Sequence, residues 1–114
     1  MEDDVNSTLL DLFQDQAREA AGLLKAMSNE CRLLVLCHLA ESGELSVGEL
    51  VQRVGLSQSA LSQHLARLRE EGLVATRKEA QMVFYRVCDP KAGQLLALLH
   101  DLFCPELGRE PRTK

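Results

Sequence analysis

The stretch that decides the fold reads Leu56-Ser57-Gln58-Ser59-Ala60-Leu61-Ser62-Gln63-His64-Leu65. Ser57 is a predicted N-cap, because a serine hydroxyl can accept a hydrogen bond from a free amide in the first helical turn. The leucines at positions 61, 65 and 68 share one side of a helix that we predict over residues 58–71. The pattern therefore predicts a helix with a buried leucine face and an exposed polar face.

The residues around this helix predict a helix-turn-helix followed by a hairpin. Ser46 and Glu49 have the spacing of a capping box, which starts a short helix ending at Val54. Residues 55–57 form the turn into the polar helix. Beyond Gly72, residues 73–78 and 82–87 are strand-like runs on either side of the polar turn Glu79-Ala80-Gln81. This order is typical of a winged helix-turn-helix.

Three further helices are predicted outside this unit. Apolar residues recur at spacings of three and four from Thr8 to Met27, which predicts a long amphipathic helix. Asn29 is a predicted N-cap for a second helix that ends near Ser42 and Gly43, and residues 89–90 start a last helix that ends near residues 103–105. The predicted fold class is mainly α with a small β-hairpin, in the order α-α-α-α-β-β-α.

The length and composition of the chain limit how many domains it can form. The chain has 114 residues, 46% hydrophobic and 26% charged, which suits one globular domain. We expect a disordered N-terminal tail over residues 1–7, a winged-helix domain for DNA binding and dimerisation over 8–105, and a C-terminal tail over 106–114. The first residues carry no basic region or apolar run, and no apolar stretch approaches a membrane span, which predicts a cytoplasmic protein.

The charge is distributed unevenly along the chain. The formal net charge is −4, yet residues 53–86 hold six basic and three acidic side chains, for +3, while the remainder holds −7. A DNA duplex would therefore meet the only basic segment of an otherwise acidic chain.

Two groups of side chains are predicted to contact DNA. The N-terminal part of a recognition helix reads base edges in the major groove, whereas a hairpin contacts the backbone or the minor groove. Each of these residues alone could be an ordinary solvated polar side chain, but together, in this order, they favour DNA binding. The predicted set is Ser57, Gln58, Ser59, Ser62, Gln63, His64 and Arg67 on the helix, and Arg77, Lys78, Gln81 and Arg86 on the hairpin.

Three stretches, residues 24–33, 56–65 and 84–87, together resemble the ArsR/SmtB family of winged-helix repressors. The resemblance covers about residues 10–104 and is strongest in the recognition segment. It implies a homodimer built from the first and last helices, an inverted-repeat operator, and a DNA affinity switched by an inducer. A dimer would also cover the apolar stripes of both terminal helices.

Metal-sensing members of that family have ligand sets that this chain lacks. Ser46 and Gly48 stand where the metalloid-sensing cysteines would lie, and the last helix offers only His100 and Asp101, with Asp89 at its cap. These residues do not supply a closed tetrahedral shell for zinc. We therefore predict no metal site and no cofactor.

The four cysteines are Cys31, Cys37, Cys88 and Cys104. Cys31 and Cys37 cannot bridge, because six helical residues separate their Cα atoms by about 9 Å, beyond the roughly 7 Å limit. Cys37 alone could be a small apolar core residue. The positions of Cys37 in the second helix and Cys104 at the end of the last resemble the dithiol branch of the family represented by BigR, SqrR and HlyU. That resemblance implies a disulfide or polysulfide bridge between Cys37 and Cys104, formed by persulfides or oxidants.

Three alternatives stay open at this point. A metal or metalloid sensor could use Cys37, Cys104 and a further thiolate. A thiol enzyme is disfavoured, because the chain has no Cys-x-x-Cys near a βαβ unit and no nucleophile elbow. An interaction module without DNA binding could use the same scaffold. We predict a regulator and not an enzyme.

Overall fold

The computed structural model describes the backbone of residues 2–104 and the side chains of residues 8–104. The described part confirms a mainly helical winged-helix fold. Its helices are α1 (Glu2–Met27), α2 (Glu30–Ser42), α3 (Val47–Val54), α4 (Gln58–Glu70) and α5 (Pro90–Phe103), and its strands are β1 (Leu45–Ser46), β2 (Val74–Glu79) and β3 (Met82–Val87).

The sheet has one strand more than the predicted hairpin. β1 pairs antiparallel with β3, so that the strand order is β1-β3-β2, with Leu45 opposite Tyr85 and Ser46 opposite Phe84. A strand of two residues is too short to show alternation of polar and apolar side chains, so the sequence could not indicate it. The hairpin turn is also tighter than predicted, because Glu79 pairs with Met82, and Ala80 takes a positive φ of 56°.

The first helix begins earlier than the sequence predicted. α1 starts at Glu2, whereas the expected start was Thr8 with a tail before it. Residues 2–7 contain neither glycine nor proline, so none of the strongest helix breakers interrupts the helix there. Residues 1 and 105–114, which include the predicted C-terminal tail, lie outside the described residues.

Side-chain caps start the helices as the sequence predicted. The Asn29 side chain accepts hydrogen bonds from the backbone N–H of Cys31 and Arg32 at 2.9 and 3.0 Å. The Ser46 and Glu49 capping box is formed in both directions, and the Asp89 carboxylate caps α5. Each cap satisfies amides that the helix leaves free, and thereby fixes where the helix begins.

The core lies between α2, α3, α4, α5 and the sheet, and consists mainly of leucines. Its fully buried side chains are Val35, Leu36, Leu39, Leu50, Leu61, Leu65, Leu68, Leu73 and Leu96. α1 adds only its last turns, through Ala26 and Met27, and its residues from Thr8 to Gly22 are exposed. Arg32 holds this end of α1 by donating from Nη1 to the carbonyl oxygen of Ala26 at 2.8 Å. The rest of α1 therefore projects from the core.

Candidate nucleic-acid interface and thiol site

The recognition helix α4 is held by its leucine face. Leu61, Leu65 and Leu68 are buried in the core. Gly55 takes the left-handed conformation, with φ 75°, in the turn that joins α3 to α4. The Ser57 hydroxyl accepts a hydrogen bond from the Ala60 N–H at 3.1 Å and caps α4. This arrangement fixes which sides of the helix face solvent.

The predicted base-reading side chains lie on the exposed sides of α4. His64 is half-buried, while the others are exposed: Ser57, Gln58, Ser59, Ser62, Gln63 and Arg67. Arg67 also donates from Nε to the Glu71 carboxylate at 3.2 Å, one turn further along α4. The structure therefore brings the short hydroxyl and amide side chains of the predicted set together at the start of one accessible helix.

The wing, defined as β2, its turn and β3 (residues 74–87), carries the other predicted contacts. Lys78, Gln81 and Arg86 are exposed. Arg77 is different, because its guanidinium donates to two carboxylates: Nε and Nη2 bond Glu44 at 2.9 Å each, and Nη1 bonds Glu79 at 2.7 Å. The wing thus presents Lys78 and Arg86 as cations without an ion pair among the described residues, and Arg77 as a paired one.

Several residues near this surface were missed by the sequence analysis. Arg69 and Tyr85 line a groove between α4 and β3 together with Ser62. Helical spacing places Ser62 and Arg69 two turns apart on one side of α4, so Arg69 could have been found from the sequence. Glu44 could not, because it meets Arg77 from 33 positions away.

The two predicted sensing thiols come from α2 and from the end of α5. Cys37 is half-buried beside the core, and Cys104 is the half-buried C-cap residue of α5, its N–H bonded to the His100 carbonyl oxygen at 2.7 Å. Burial raises the pKa of the Cys37 thiol above its ordinary value, and negative charge on Cys104 and on Glu41 raises this pKa further. Cys104 therefore lies close enough to Cys37 for its charge to act on it.

The other two cysteines are Cys31 and Cys88. Cys31 lies in the first turn of α2, where its N–H is used by the Asn29 cap. Cys88 is exposed just after β3, and its Sγ donates to the Gly72 carbonyl oxygen at 3.4 Å. All four cysteines are free thiols.

Two of the positions considered for metal ligands, Ser46 and Asp89, cap helices instead. The Ser46 hydroxyl belongs to the α3 capping box, and the Asp89 carboxylate caps α5. Over residues 8–104, no three His, Cys, Asp or Glu side chains gather into a group that could hold a metal ion. None of the helices in the described part is long and apolar enough to cross a membrane.

Comparison with known proteins places this site in a family. Residues 29–76, from the cap of α2 to the first part of β2, match the model of bacterial regulatory proteins of the arsR family. The transcriptional activator HlyU of Vibrio cholerae is 55% identical over 81% of this chain and 84% of its own length. The chain belongs to the arsR family. The biofilm growth-associated repressor of Xylella fastidiosa is 46% identical over 82% of both chains.

Solved structures of related regulators share the winged-helix fold over about four fifths of this chain. Reduced HlyU from Vibrio cholerae aligns with a TM-score of 0.77 and 55% identity, covering 81% of this chain and 96% of that one. BigR from Xylella fastidiosa aligns with a TM-score of 0.76 and 46% identity, covering 82% and 95%. This arsR-family chain is therefore a DNA-binding transcriptional regulator and not an enzyme. Cys37 lies within the segment that matches the family model, whereas Cys104 lies beyond it.

Proposed function

We propose that this arsR-family chain is a homodimeric cytoplasmic repressor that releases operator DNA when persulfides or oxidants bridge Cys37 and Cys104. The observation that carries the proposal is the packing of α2 against α5, which brings Cys37 and the C-cap residue Cys104, 67 positions apart in sequence, close enough for negative charge on Cys104 to raise the pKa of Cys37. A relative of 55% identity has been solved in a form described as reduced, which supports a thiol-dependent state in this branch.

The two thiols have different parts in the proposed reaction. The raised pKa of Cys37 disfavours its thiolate, so we assign the first attack to Cys104 at the helix end. The Cys104 thiolate attacks the sulfane sulfur of a persulfide R–S–SH, which forms Cys104–S–SH and releases R–S⁻. Cys37 then loses its proton and attacks the Cys104 sulfur, which forms the Cys37–Cys104 disulfide and releases HS⁻. Addition of a second sulfane sulfur before closure would give a longer polysulfide bridge.

The proposed dimer would cover the exposed apolar side chains of the terminal helices. Phe13 is 67% exposed and Phe103 is 77% exposed, which is costly for side chains of this size in water. A second copy with the same face would bury both in an isologous interface. The exposed large apolar residues of the two helices are Leu9, Leu10, Leu12, Phe13, Leu24, Leu98, Leu102 and Phe103.

The proposed Cys37–Cys104 bridge and the proposed dimer interface both involve α5. α2 packs against α5, and α5 carries both Cys104 and part of the proposed interface. Pulling the end of α5 toward Cys37 would therefore change the dimer and the spacing of its two recognition helices. A coupling of about 1 to 3 kcal/mol between the bridge and DNA would lower the affinity by about 5- to 150-fold.

The test compares DNA binding by reduced, persulfide-treated, zinc-treated and arsenite-treated protein. Fluorescence anisotropy on the upstream region of the native gene measures affinity, and mass spectrometry identifies the crosslinked cysteines. We expect persulfide to release the DNA with a Cys37–Cys104 crosslink, and Cys104→Ser and Cys37→Ser to keep their affinity under persulfide. Cys88→Ser, a matched loss of one thiol, should respond like the wild type.

Two kinds of result would contradict the proposal. One is retained DNA binding by persulfide-treated protein that carries the crosslink, or equal release by Cys104→Ser. The other is release by zinc or arsenite alone, which would favour a metal- or metalloid-responsive repressor that uses cysteine thiolates.

A further inference from the structure

Arg77 makes the most extensively bonded ion-pair group among the described residues. Its Nε and Nη2 donate to Oε2 and Oε1 of Glu44, both at 2.9 Å, and its Nη1 donates to Oε1 of Glu79 at 2.7 Å. The guanidinium also lies over the Phe84 ring, 4.7 Å from its centroid. All three nitrogen atoms of the guanidinium therefore form hydrogen bonds, and one face of the group contacts the Phe84 ring.

These contacts cross the sheet. Arg77 lies on β2, Phe84 is its partner on β3, and Glu44 directly precedes β1, which pairs with the other side of β3. The Arg77–Glu44 pair thus joins the outer strand of the wing to the segment that links α2 to the sheet. A bidentate arginine–carboxylate pair also fixes the orientation of both groups, which a single contact does not.

The charge around Arg77 is unfavourable for a phosphate. Two carboxylates surround one guanidinium, so the group of Arg77, Glu44 and Glu79 carries a net charge of −1. The hydrogen bond from Arg77 holds the pKa of Glu44 below its ordinary value, so that carboxylate stays ionised. A DNA phosphate approaching Arg77 would meet both negative charges. Lys78 and Arg86 form no ion pair in the described part of the chain, although the positive charge of Arg86 helps to lower the pKa of Glu44.

We propose that Arg77 is a positioning residue, which anchors the wing through Glu44 and leaves the DNA backbone to Lys78 and Arg86. Arg77 then contributes to DNA binding only by holding the wing where its other cations reach the duplex. Glu44 becomes a residue that DNA binding requires, although it is acidic.

The substitution Glu44→Gln distinguishes an anchoring role of Arg77 from a phosphate-binding role, because the two roles predict changes of DNA affinity in opposite directions. If Arg77 anchors the wing, Glu44→Gln frees the wing and weakens binding by about 2- to 5-fold, the range expected for a partly exposed ion pair. If Arg77 is a phosphate ligand, the same substitution removes a competing carboxylate and tightens binding. The probe is a duplex selected by the wild-type protein from a random pool, with a scrambled duplex beside it. Glu41→Gln is the control, because it removes the same charge from an exposed residue outside the group.

Variants of Arg77 provide a second, independent readout. Arg77→Lys keeps the charge but cannot form the bidentate pair, so we expect it to weaken binding as much as Glu44→Gln, and the double variant to be no weaker than either. Arg77→Gln should change the salt dependence of binding no more than Glu44→Gln does, because both variants free the wing alike, whereas loss of a direct phosphate contact would lower the slope by about one more. Full affinity in Arg77→Lys, or a slope in Arg77→Gln that is lower than the slope in Glu44→Gln, would overturn the proposal.

Hydrogen exchange tests the anchoring directly and without DNA. Glu44→Gln should speed amide exchange across residues 74–87 and leave α4 unchanged, whereas unchanged exchange in the wing would overturn the anchoring role. A wild-type protein that selects no duplex would instead contradict DNA binding by this chain, and the exchange result would still decide whether Arg77 holds the wing.

Discussion

At the residue scale, Cys37 shows how the fold sets the chemistry of a thiol. The sequence places it among apolar residues of α2, but its neighbours Cys104 and Glu41 come from different turns and elements. Burial is the main reason that its pKa is raised, and the two negative charges add to the effect. The thiol therefore becomes reactive at higher pH than an exposed cysteine would.

The influence of Cys104 on Cys37 predicts a change in the pH dependence of Cys37 alkylation. In Cys104→Ser the neighbouring charge is lost, so the pKa of Cys37 should fall and its reaction with iodoacetamide should reach half-maximal rate at a lower pH than in the wild type. Mass spectrometry of the Cys37 peptide across a pH series measures this. Cys88→Ser is the control and should leave the profile unchanged. A profile that does not move in Cys104→Ser would show that the two thiols are not neighbours in solution.

At the element scale, α4 and the wing expose different chemistry at the surface. The exposed start of α4 offers hydroxyl and amide groups, which can distinguish base edges. The wing offers the cations Lys78 and Arg86, which suit phosphates of any sequence. Ser57 is the one predicted contact whose hydroxyl already has a structural partner, the Ala60 N–H.

The two elements should therefore respond differently to substitution. Gln63→Ala should weaken binding to the selected duplex by about 1–3 kcal/mol with little change on a scrambled duplex, because a base contact is lost. Lys78→Ala should weaken both duplexes equally and lower the salt slope by about one, because a phosphate contact is lost. Anisotropy titrations at several salt concentrations measure both effects. Equal loss on both duplexes for Gln63→Ala would remove it from the base-reading set.

At the scale of the whole molecule, the shape is elongated, with extents of 59 × 37 × 23 Å, because α1 projects from the core. A helix of 26 residues is about 39 Å long. Within residues 8–27, only its last turns are buried in the core, and Glu19 reaches Lys91 of α5 in an exposed ion pair. Isolated helices are only marginally stable in water, so an exposed amphipathic helix of this length is stabilised mainly by packing against another surface. The proposed homodimer supplies that surface.

The proposed dimer predicts different effects for two substitutions that each replace an exposed apolar side chain by glutamate. Phe13→Glu on α1 should produce a monomer, because it places a charge in the proposed interface, and should lower DNA affinity. Met82→Glu, on the wing and 52% exposed, should leave the dimer intact. Sedimentation velocity measures the oligomeric state of each variant. A dimeric Phe13→Glu protein would place the interface elsewhere.

Much of the fold, and the exposure of the polar side of α4, could be predicted because the signals are local. Caps such as Asn29, Ser46 and Asp89 act within three residues, and the leucine face of α4 repeats within one helix. The polar side of α4 is then exposed by necessity, since its other side fills the core. The predictions for the start of α1 and the length of the hairpin turn were less accurate, because helix ends and tight turns depend on small energy differences.

The sequence by itself determined the order of the helices and of the two hairpin strands, the polar face of α4 and the arsR-family resemblance, because each depends on residues close together in the chain. Only the tertiary structure decided that β1 joins the sheet, that Arg77 is paired with Glu44, and that the charge of Cys104 acts on Cys37. These contacts join residues 33 to 67 positions apart, and no local pattern encodes them. Their formation depends on the packing of α2, α5 and the sheet around one leucine core.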